Sequence, residues 1–361
     1  MDAKRKGRCV SDASIDVIVN NHNYGPFLRA AVDSALAQTH PRVRVVVVDD
    51  GSADNSRAII ESYGSRIVPV LKENAGQASA FNAGLQASTS DIVLFLDADD
   101  ALHPDICARL AAAFTDHPEA ARAQYRMEVI DQQGNSTGEM KPPEYVRLPS
   151  GDLRRHAVAF PFDVPWMATS GNAFSAKALH RIAPVPEDDF RILADWYVVH
   201  MTSLLGTIVS LDVVGAYRRV HAGNLHEVSA PVLDLNQIRG SISAAAGVTP
   251  YLQELAEELG LANGRTTMCA VSEIGNRLIY LRLAPKGDRF PGDTRVGLVK
   301  RGISASLARF DVAPPMRMVF IGWLLAEAFA PRRLARSLAE LFVFPKRRSR
   351  VSPVLASLRR Y

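Results

Sequence analysis

Short, continuously apolar segments alternate with segments of helical periodicity in the first hundred residues. Runs rich in Val, Ile and Leu, each bounded by polar or turn residues, predict four strands at Ile15–Asn20, Val43–Asp50, Arg66–Leu71 and Asp91–Asp97. Between them, the segments GPFLRAAVDSALAQ, SADNSRAIIESYG and GQASAFNAGLQAS have the spacing or capping residues of helices. Strands that are apolar throughout suit a parallel sheet buried on both faces. The alternation predicts a doubly wound α/β domain.

The pattern changes twice further along the chain. Residues 105–114 look helical, QYRMEVIDQQGNSTGEM predicts two strands around a turn, and a helix is predicted from Ser175. DDFRILADWYVVHMTSLLG predicts a helix that carries Asp195, and IVSLDVVGAYRRVHAGN predicts a strand or a hairpin. From about residue 230 the chain is mostly helical. We therefore predict a flexible segment at 1–14, an α/β domain at 15–228, and a helical region with a basic amphipathic end at 229–361.

Polar clusters follow three of the four predicted strands. They are NNHN at residues 20–23, DDGS at 49–52 and DADD at 97–100. Parallel α/β sheets bind ligands beyond the carboxyl ends of their strands, so these clusters are expected to face one crevice. Each cluster alone has a simpler interpretation, because Asp, Asn and Gly are common in turns and Asp99 or Asp100 could cap a helix that starts near Pro104.

Carboxylates crowded at one strand end repel one another unless a cation or protons neutralise them. Divalent cations such as Mg²⁺ or Mn²⁺ prefer oxygen ligands and bridge to phosphate oxygens. A bound metal-diphosphate would supply the positive charge that the DADD cluster lacks, and the capping role stays open beside it.

Taken together, these segments resemble the family 2 glycosyltransferases, which have the GT-A fold. The resemblance covers Ile15 to Asn224 and lies in the order and spacing of IDVIVNNHNYGPFLRAAVDSALAQTH, VVVVDDGSADNS, ENAGQASAFNAGL and IVLFLDADD. It implies an inverting, metal-dependent enzyme that uses a nucleotide-diphosphate sugar, with a mostly parallel, Rossmann-like sheet flanked by helices.

The resemblance also implies roles for residues of the first half of the domain. Asn20 and His22 would lie beside the nucleotide, and Asp50 would contact the base. Asp97 and Asp99 would hold the ribose and the metal ion, and Asp100 would lie near the donor sugar.

Further roles follow from the second half of the resemblance. Asp195 in LADWYVV would be the general base that deprotonates the acceptor hydroxyl, with Asp188 and Asp189 as the alternatives. The acceptor pocket would contain Ser170, Gly171 and Asn172. In YRRVHAGN, His221 would be a third metal ligand or a phosphate contact, and Arg218 or Arg219 would neutralise the diphosphate.

We predict transfer of a sugar, most simply from a UDP-sugar, to a glycan or lipid-linked acceptor in cell-surface polysaccharide synthesis. Two alternatives stay open: a nucleotidyltransferase, although no Gly-rich phosphate loop follows the first strand, and a non-catalytic nucleotide-sugar or carbohydrate-binding protein. An NAD-dependent oxidoreductase is disfavoured, because no G-x-G-x-x-G follows the first strand. No nucleic-acid partner is predicted.

Composition and charge bear on location. The chain has 361 residues, 47% of them hydrophobic, and a net charge of +4. Its cysteines, Cys9, Cys107 and Cys269, form no CxxC pair, and its start lacks a signal-like apolar core, which indicates a cytoplasmic protein. The C-terminal segment joins an apolar helical face to clustered arginines. It predicts either a helix packed on the catalytic domain or peripheral contact with the inner face of the cell membrane.

Overall fold

The computed structural model describes residues 12–221, 233–263, 268 and 270–344. These residues divide into two compact units. The first contains the described residues up to 141 together with 167–195 and 206–219, and the second contains 142–166, 196–205 and the described residues from 220 onward. The predicted domain boundary at 228 lies outside the described residues, as do Asn224 and the basic residues after 344.

The first unit begins with four βα repeats, as the sequence predicts. The bounds are β1 Ile15–Asn21, α1 Gly25–Leu36, β2 Val43–Asp50, α2 Ser56–Glu61, β3 Val68–Lys72, α3 Gln77–Ala87, β4 Ile92–Asp97, β5 Ala101–Leu102 and α4 Ile106–Asp116. Up to residue 219 the chain continues with β6 Ala120–Ile130, β7 Ser136–Lys141, α5 Arg154–Ala159, β8 Asn172–Ser175, α6 Ala176–Ile182, α7 Ala194–Thr202 and β9 Thr207–Arg219, of which α5 belongs to the second unit.

The strands of the described residues form one mixed sheet in the order β3-β2-β1-β4-β8-β6-β9-β5, with β7 paired to β6. Strands β3, β2, β1 and β4 are parallel, whereas β8 runs antiparallel to β4 and β6. The register pairs Asn20 with Asp97 and Asn21 with Asp49. The polar ends of β1, β2 and β4 therefore meet at one edge, which confirms the convergence expected from the sequence.

The core of this unit is built by the apolar faces that the periodicity predicts. Phe81 of α3 stacks on Phe95 of β4 with ring centroids 4.1 Å apart. Gly84 lets α3 approach the sheet, because a Cβ atom there would lie 2.4 Å from Cγ2 of Ile18. At the other end of the sheet, the buried Asp16 accepts two hydrogen bonds from Arg44, at 2.8 and 2.7 Å.

Two predictions from sequence are corrected. The segment after residue 206 is the single strand β9, which pairs with β6 and β5, and the hairpin alternative is wrong. Neither Asp99 nor Asp100 caps α4, because that helix begins at Ile106 with Asp105 at the cap position. Asp100 instead accepts a hydrogen bond from the backbone N–H of Arg219.

The second unit is helical, as predicted for the C-terminal region. Its long helices are α8 Leu235–Glu258, α9 Val271–Leu283, α10 Arg295–Ala308, α11 Pro314–Phe329 and α12 Arg332–Val343. Asp163 accepts hydrogen bonds from the N–H groups of Val271 and Ser272 at the start of α9, and its carboxylate pairs with Arg309. In the part of the chain that the structure describes, every helix is too short or too polar to cross a membrane.

Candidate active site

The ends of β1 and β2 are tied together by hydrogen bonds between their polar residues. Nδ1 of His22 donates to the backbone oxygen of Asp50 at 2.7 Å, so its Nε2 can accept from Nδ2 of Asn23 at 3.0 Å. Asn21 donates to the carboxylate of Asp49 at 2.9 Å. The side-chain oxygen of Asn20 is buried and has no hydrogen-bond partner among the described residues, which leaves an acceptor at the strand end.

Asp50 organises the loop between β3 and α3. Its carboxylate accepts hydrogen bonds from Nζ of Lys72 at 2.6 Å, Nδ2 of Asn74 at 3.0 Å, and the N–H groups of Ala75 and Gly76 at 3.0 and 2.8 Å. Burial would raise the pKa of Asp50, but Lys72 and the two backbone N–H groups outweigh it and lower the pKa. These protein donors could not be predicted from the sequence. The contact of Asp50 with the nucleotide base stays a prediction.

The same loop contacts the segment that leads to Asp195. Asn74 donates from Nδ2 to the Asp50 carboxylate, and its side-chain oxygen accepts a hydrogen bond from Arg191 at 2.6 Å. The N–H of Gln77 donates to the Arg191 carbonyl at 2.7 Å. Gln77 then accepts from the N–H of Ala194 at 2.9 Å. Gly76 permits this approach, because it has a φ of +95° and a Cβ atom would lie 2.4 Å from the Arg191 carbonyl oxygen.

Backbone strain marks both loops that border the site. Among the described residues other than glycine, Asn23 and Leu193 have positive φ, at 60° and 66°. A left-handed conformation is unfavourable for a bulky residue such as Leu193 and persists only where neighbouring contacts hold it. The hydrogen bonds of Gln77 with Arg191, before Leu193, and with Ala194, after it, supply such contacts. They also hold Ala194 at the start of α7.

The DADD cluster is an assembly of mutually repelling carboxylates. Burial raises the pKa of Asp97 well above its ordinary value, and the charges of Asp100, Asp99 and Asp195 raise it further. Burial and the charge of Asp99 raise the pKa of Asp100 to about 7, against the opposing effect of the Ser170 hydroxyl and the Arg219 N–H. Asp195 therefore lies within electrostatic range of Asp97, as the sequence predicts for residues of one site.

Asp188 and Asp189, the alternatives to Asp195, are exposed residues of the segment before Leu193. The charge of Asp195 is among those that raise the pKa of Asp97. The choice of Asp195 as the base, over these two residues, stays a prediction.

A tyrosine that the sequence analysis overlooked belongs to this cluster. Burial together with the charges of Asp99, Asp97 and Asp100 raises the pKa of Tyr24 to about 12. Its position in NNHNYG, directly after the first polar cluster, is the signal that could have identified it. Lys72, Asn74, Gln77 and Arg191 were also missed, because their roles arise from contacts distant in sequence.

Ser170, one of the residues predicted from the sequence, contacts the end of the strand that carries the aspartates. The Ser170 hydroxyl accepts from the N–H of Asp97 at 3.1 Å, and its backbone oxygen accepts from the Tyr125 hydroxyl at 2.8 Å. Asn172 donates to the carbonyls of Met167 and Ala168. Ser170, Gly171 and Asn172 are buried, and their acceptor-side role stays a prediction.

Arg218 and Arg219 differ in their surroundings. The charge of Arg218 lowers the pKa of both Asp97 and Asp100, which brings it within range of the cluster. Arg219 is buried and donates to the carbonyls of Asp99, Asp131 and Gln132, so its guanidinium holds the loops around the cluster. His221 belongs to the second unit, and its contact with metal or phosphate stays a prediction.

The aspartates present the hard oxygen donors that a divalent cation prefers, and a cation would relieve the repulsion that raises their pKa values. Among the described residues, no group of three His, Cys, Asp or Glu side chains is arranged to hold a metal ion by itself. Phosphate oxygens of a substrate are among the ligands that could complete the coordination of a cation at Asp97 and Asp99.

Comparison with known proteins identifies the class. Residues 16–179 match the model of glycosyl transferase family 2. An uncharacterized glycosyltransferase of Nostoc sp. is 35% identical over 254 residues, which cover 68% of this chain and 76% of that relative. The fold is of the GT-A type and resembles S. aureus TarS 1–349 in complex with UDP, with a TM-score of 0.51, 16% identity, and coverage of 93% of this chain and 92% of that one.

The same S. aureus protein in complex with UDP-GlcNAc matches with a TM-score of 0.50, 16% identity and the same coverage. The chain is a glycosyltransferase, and it belongs to glycosyltransferase family 2. This membership favours a glycosyltransferase over the nucleotidyltransferase and the non-catalytic binding protein that the sequence left open.

Proposed function

We propose that the chain is an inverting glycosyltransferase that moves a sugar from a UDP-sugar to a hydroxyl of a glycan or lipid-linked acceptor in cell-surface polysaccharide synthesis. The observation that carries the proposal is the carboxylate cluster at the end of β4, with Asp195 in electrostatic range of Asp97. The complexes of S. aureus TarS with UDP and UDP-GlcNAc, which share the fold, support the choice of UDP.

In this proposal the two halves of the site have different tasks. Asn20, His22 and Asp50 lie at the nucleotide side, where the Asp50 network fixes the loop before α3. Asp97 and Asp99 would hold Mn²⁺ or Mg²⁺, which would neutralise the diphosphate as it leaves. Asp100 and Arg218 border the same space, and Arg218 supplies a positive charge for the leaving group.

Asp195 acts as the general base in this proposal. It accepts the proton of the acceptor hydroxyl as that oxygen attacks the anomeric carbon, while the bond from this carbon to the diphosphate oxygen breaks. The products are the glycosylated acceptor and the nucleoside diphosphate. The hydrogen bond from the Ala194 N–H to Gln77 holds the start of α7, which places Asp195 relative to the loop after β3.

The test compares Asp97→Asn with the unaltered chain in thermal unfolding. Without ligand, the variant is expected to be as stable or more stable, because the amide removes a repelling charge from the cluster. We expect UDP with Mn²⁺ to raise the unfolding temperature of the unaltered chain and not that of the variant. Asp105→Asn, which alters a surface carboxylate, is the matched control.

Sugar transfer is then measured with radiolabelled UDP-sugars. Stabilisation by another nucleoside diphosphate, but not by UDP, would overturn the choice of donor. Equal stabilisation of Asp97→Asn and the unaltered chain by UDP with Mn²⁺ would overturn the proposed cation site.

A further inference from the structure

The outward face of α11 carries no charged or polar side chain. The exposed residues of α11 are Pro314, Pro315, Met318, Val319, Gly322, Leu325 and Phe329. Met318 is 61% exposed, Phe329 58% and Leu325 41%. Met318, Gly322, Leu325 and Phe329 follow one another at spacings of three and four residues, so they form one stripe along the helix.

The opposite side of α11 is the one that packs in the second unit. Leu324 and Ala328 are buried in an apolar cluster with residues of α9 and α10, and Phe320 and Trp323 pack against it. In a globular protein, the side of such a helix that faces solvent ordinarily carries polar residues. The exposed residues of α11 are nonetheless apolar, whereas its one carboxylate, Glu327, is buried on the packed side. The outward face therefore needs an explanation other than packing within this unit.

The next helix adds apolar residues and positive charge. Leu334 and Leu341 of α12 are exposed and lie seven residues apart on one face, and Arg332, Arg333 and Arg336 are exposed elsewhere around the same helix. Its acidic residue, Glu340, pairs with Arg336 at 3.6 Å. The sequence that follows adds a further basic set with no acidic residue: Lys346, Arg347, Arg348, Arg350, Arg359 and Arg360.

We propose that α11 and α12 form a docking surface for a membrane rich in anionic lipids. Apolar side chains of the stripe would enter the acyl boundary while the arginines meet lipid phosphates, as in helices that lie in the plane of an interface. α11 spans about 24 Å along its axis, which suits a helix lying on a bilayer. A second copy would bring the same arginines to the contact and no compensating acidic cluster from these helices.

The inference is independent of the donor and of the catalytic residues, and its test measures binding alone. The full chain is floated on a density gradient with vesicles of phosphatidylcholine containing about one third phosphatidylglycerol, and with vesicles of phosphatidylcholine only. We expect flotation with the anionic vesicles, weakened by high salt, and none with the neutral ones.

Three variants divide the surface into its parts. Leu325→Ser with Phe329→Ser removes apolar contacts and is expected to lower the partition coefficient at least tenfold. Arg333→Gln with Arg336→Gln is expected to lower it to a similar extent. Leu259→Ser, at a leucine that is 39% exposed beyond the end of α8, is the matched control and should leave it unchanged.

Unchanged thermal unfolding of each variant would show that it is folded. The proposal is overturned if the unaltered chain does not float with anionic vesicles, or if the Leu325→Ser, Phe329→Ser variant floats as well as the unaltered chain. It is also overturned if light scattering shows a dimer that this variant dissociates while vesicles bind neither protein, because the face is then a self-contact.

Discussion

The hydrogen-bond network of Asp50 leads to a prediction about Asp50→Asn, a change that preserves the size of the side chain. Two donors face each carboxylate oxygen: Lys72 Nζ and the Ala75 N–H at Oδ1, and Asn74 Nδ2 and the Gly76 N–H at Oδ2. An amide at this position can be turned in two ways, and in either of them its NH₂ group faces two of these four donors instead of accepting from them. At least two hydrogen bonds to a charged group are then lost, each contributing about 1.5–3 kcal/mol.

The free energy of unfolding of Asp50→Asn is therefore expected to fall by about 3 kcal/mol or more, as measured by urea denaturation followed by circular dichroism. The buried position of Asp50 supports the full magnitude, because its side chain is only 5% exposed and that of Lys72 20%. Asp105→Asn is the control, since the exposed ion pair of Asp105 with Arg109 is worth less than about 1 kcal/mol.

The same change should reduce sugar transfer, because the loop that Asp50 holds also binds Arg191 and the Ala194 N–H next to Asp195. If Asp50→Asn is no less stable than Asp105→Asn, the network does not stabilise the loop. The structural reasoning would then be refuted, whatever the effect on transfer.

Three further predictions concern the base, the sheet and the helix packing. Asp195→Asn should lower kcat at least a hundredfold while the dissociation constant for UDP changes less than about twofold, and unchanged transfer would exclude it as the base. Asp16 is buried, which by itself would raise its pKa, but hydrogen bonds from Arg44 and Ser88 lower it from 3.8 to about 2. The ionised Asp16 thus contributes about 2 kcal/mol to the free energy of unfolding above about pH 4, and this contribution is lost as the pH falls toward 2. Asp16→Asn should therefore reduce the fall of the free energy of unfolding between pH 4 and pH 2, and an unchanged fall would contradict this. Gly84→Ala should lower the free energy of unfolding by about 1–3 kcal/mol, because the added Cβ atom would lie 2.4 Å from Ile18. Gly240→Ala, where a Cβ atom would have no atom within 4 Å, should raise it by about 0.5–1 kcal/mol. A change of the same sign in both variants would contradict the packing.

Some of the site follows from local pattern and some does not. The ends of β1, β2 and β4 could be predicted, because parallel strands joined by helices must present their carboxyl ends at one edge. The capping role considered for Asp99 and Asp100 was wrong, because α4 begins only at Ile106, and Asp100 instead accepts from the Arg219 N–H, which comes from far along the chain. The acceptor-side role of Ser170 stays a prediction, and its hydrogen bond from the N–H of Asp97 could not be predicted because it joins residues 73 positions apart.

The sequence by itself determined the alternation of strands and helices, the order of the polar clusters and the family resemblance, because period, turn residues and motif spacing are local properties. The tertiary structure decided which donors each carboxylate meets. It joins Asn74 and Gln77 to Arg191 and Ala194, brings Tyr24 and Asp195 into range of the aspartates, and leaves the outward face of α11 exposed. These features depend on contacts between distant residues and on burial, and both arise only when the chain folds.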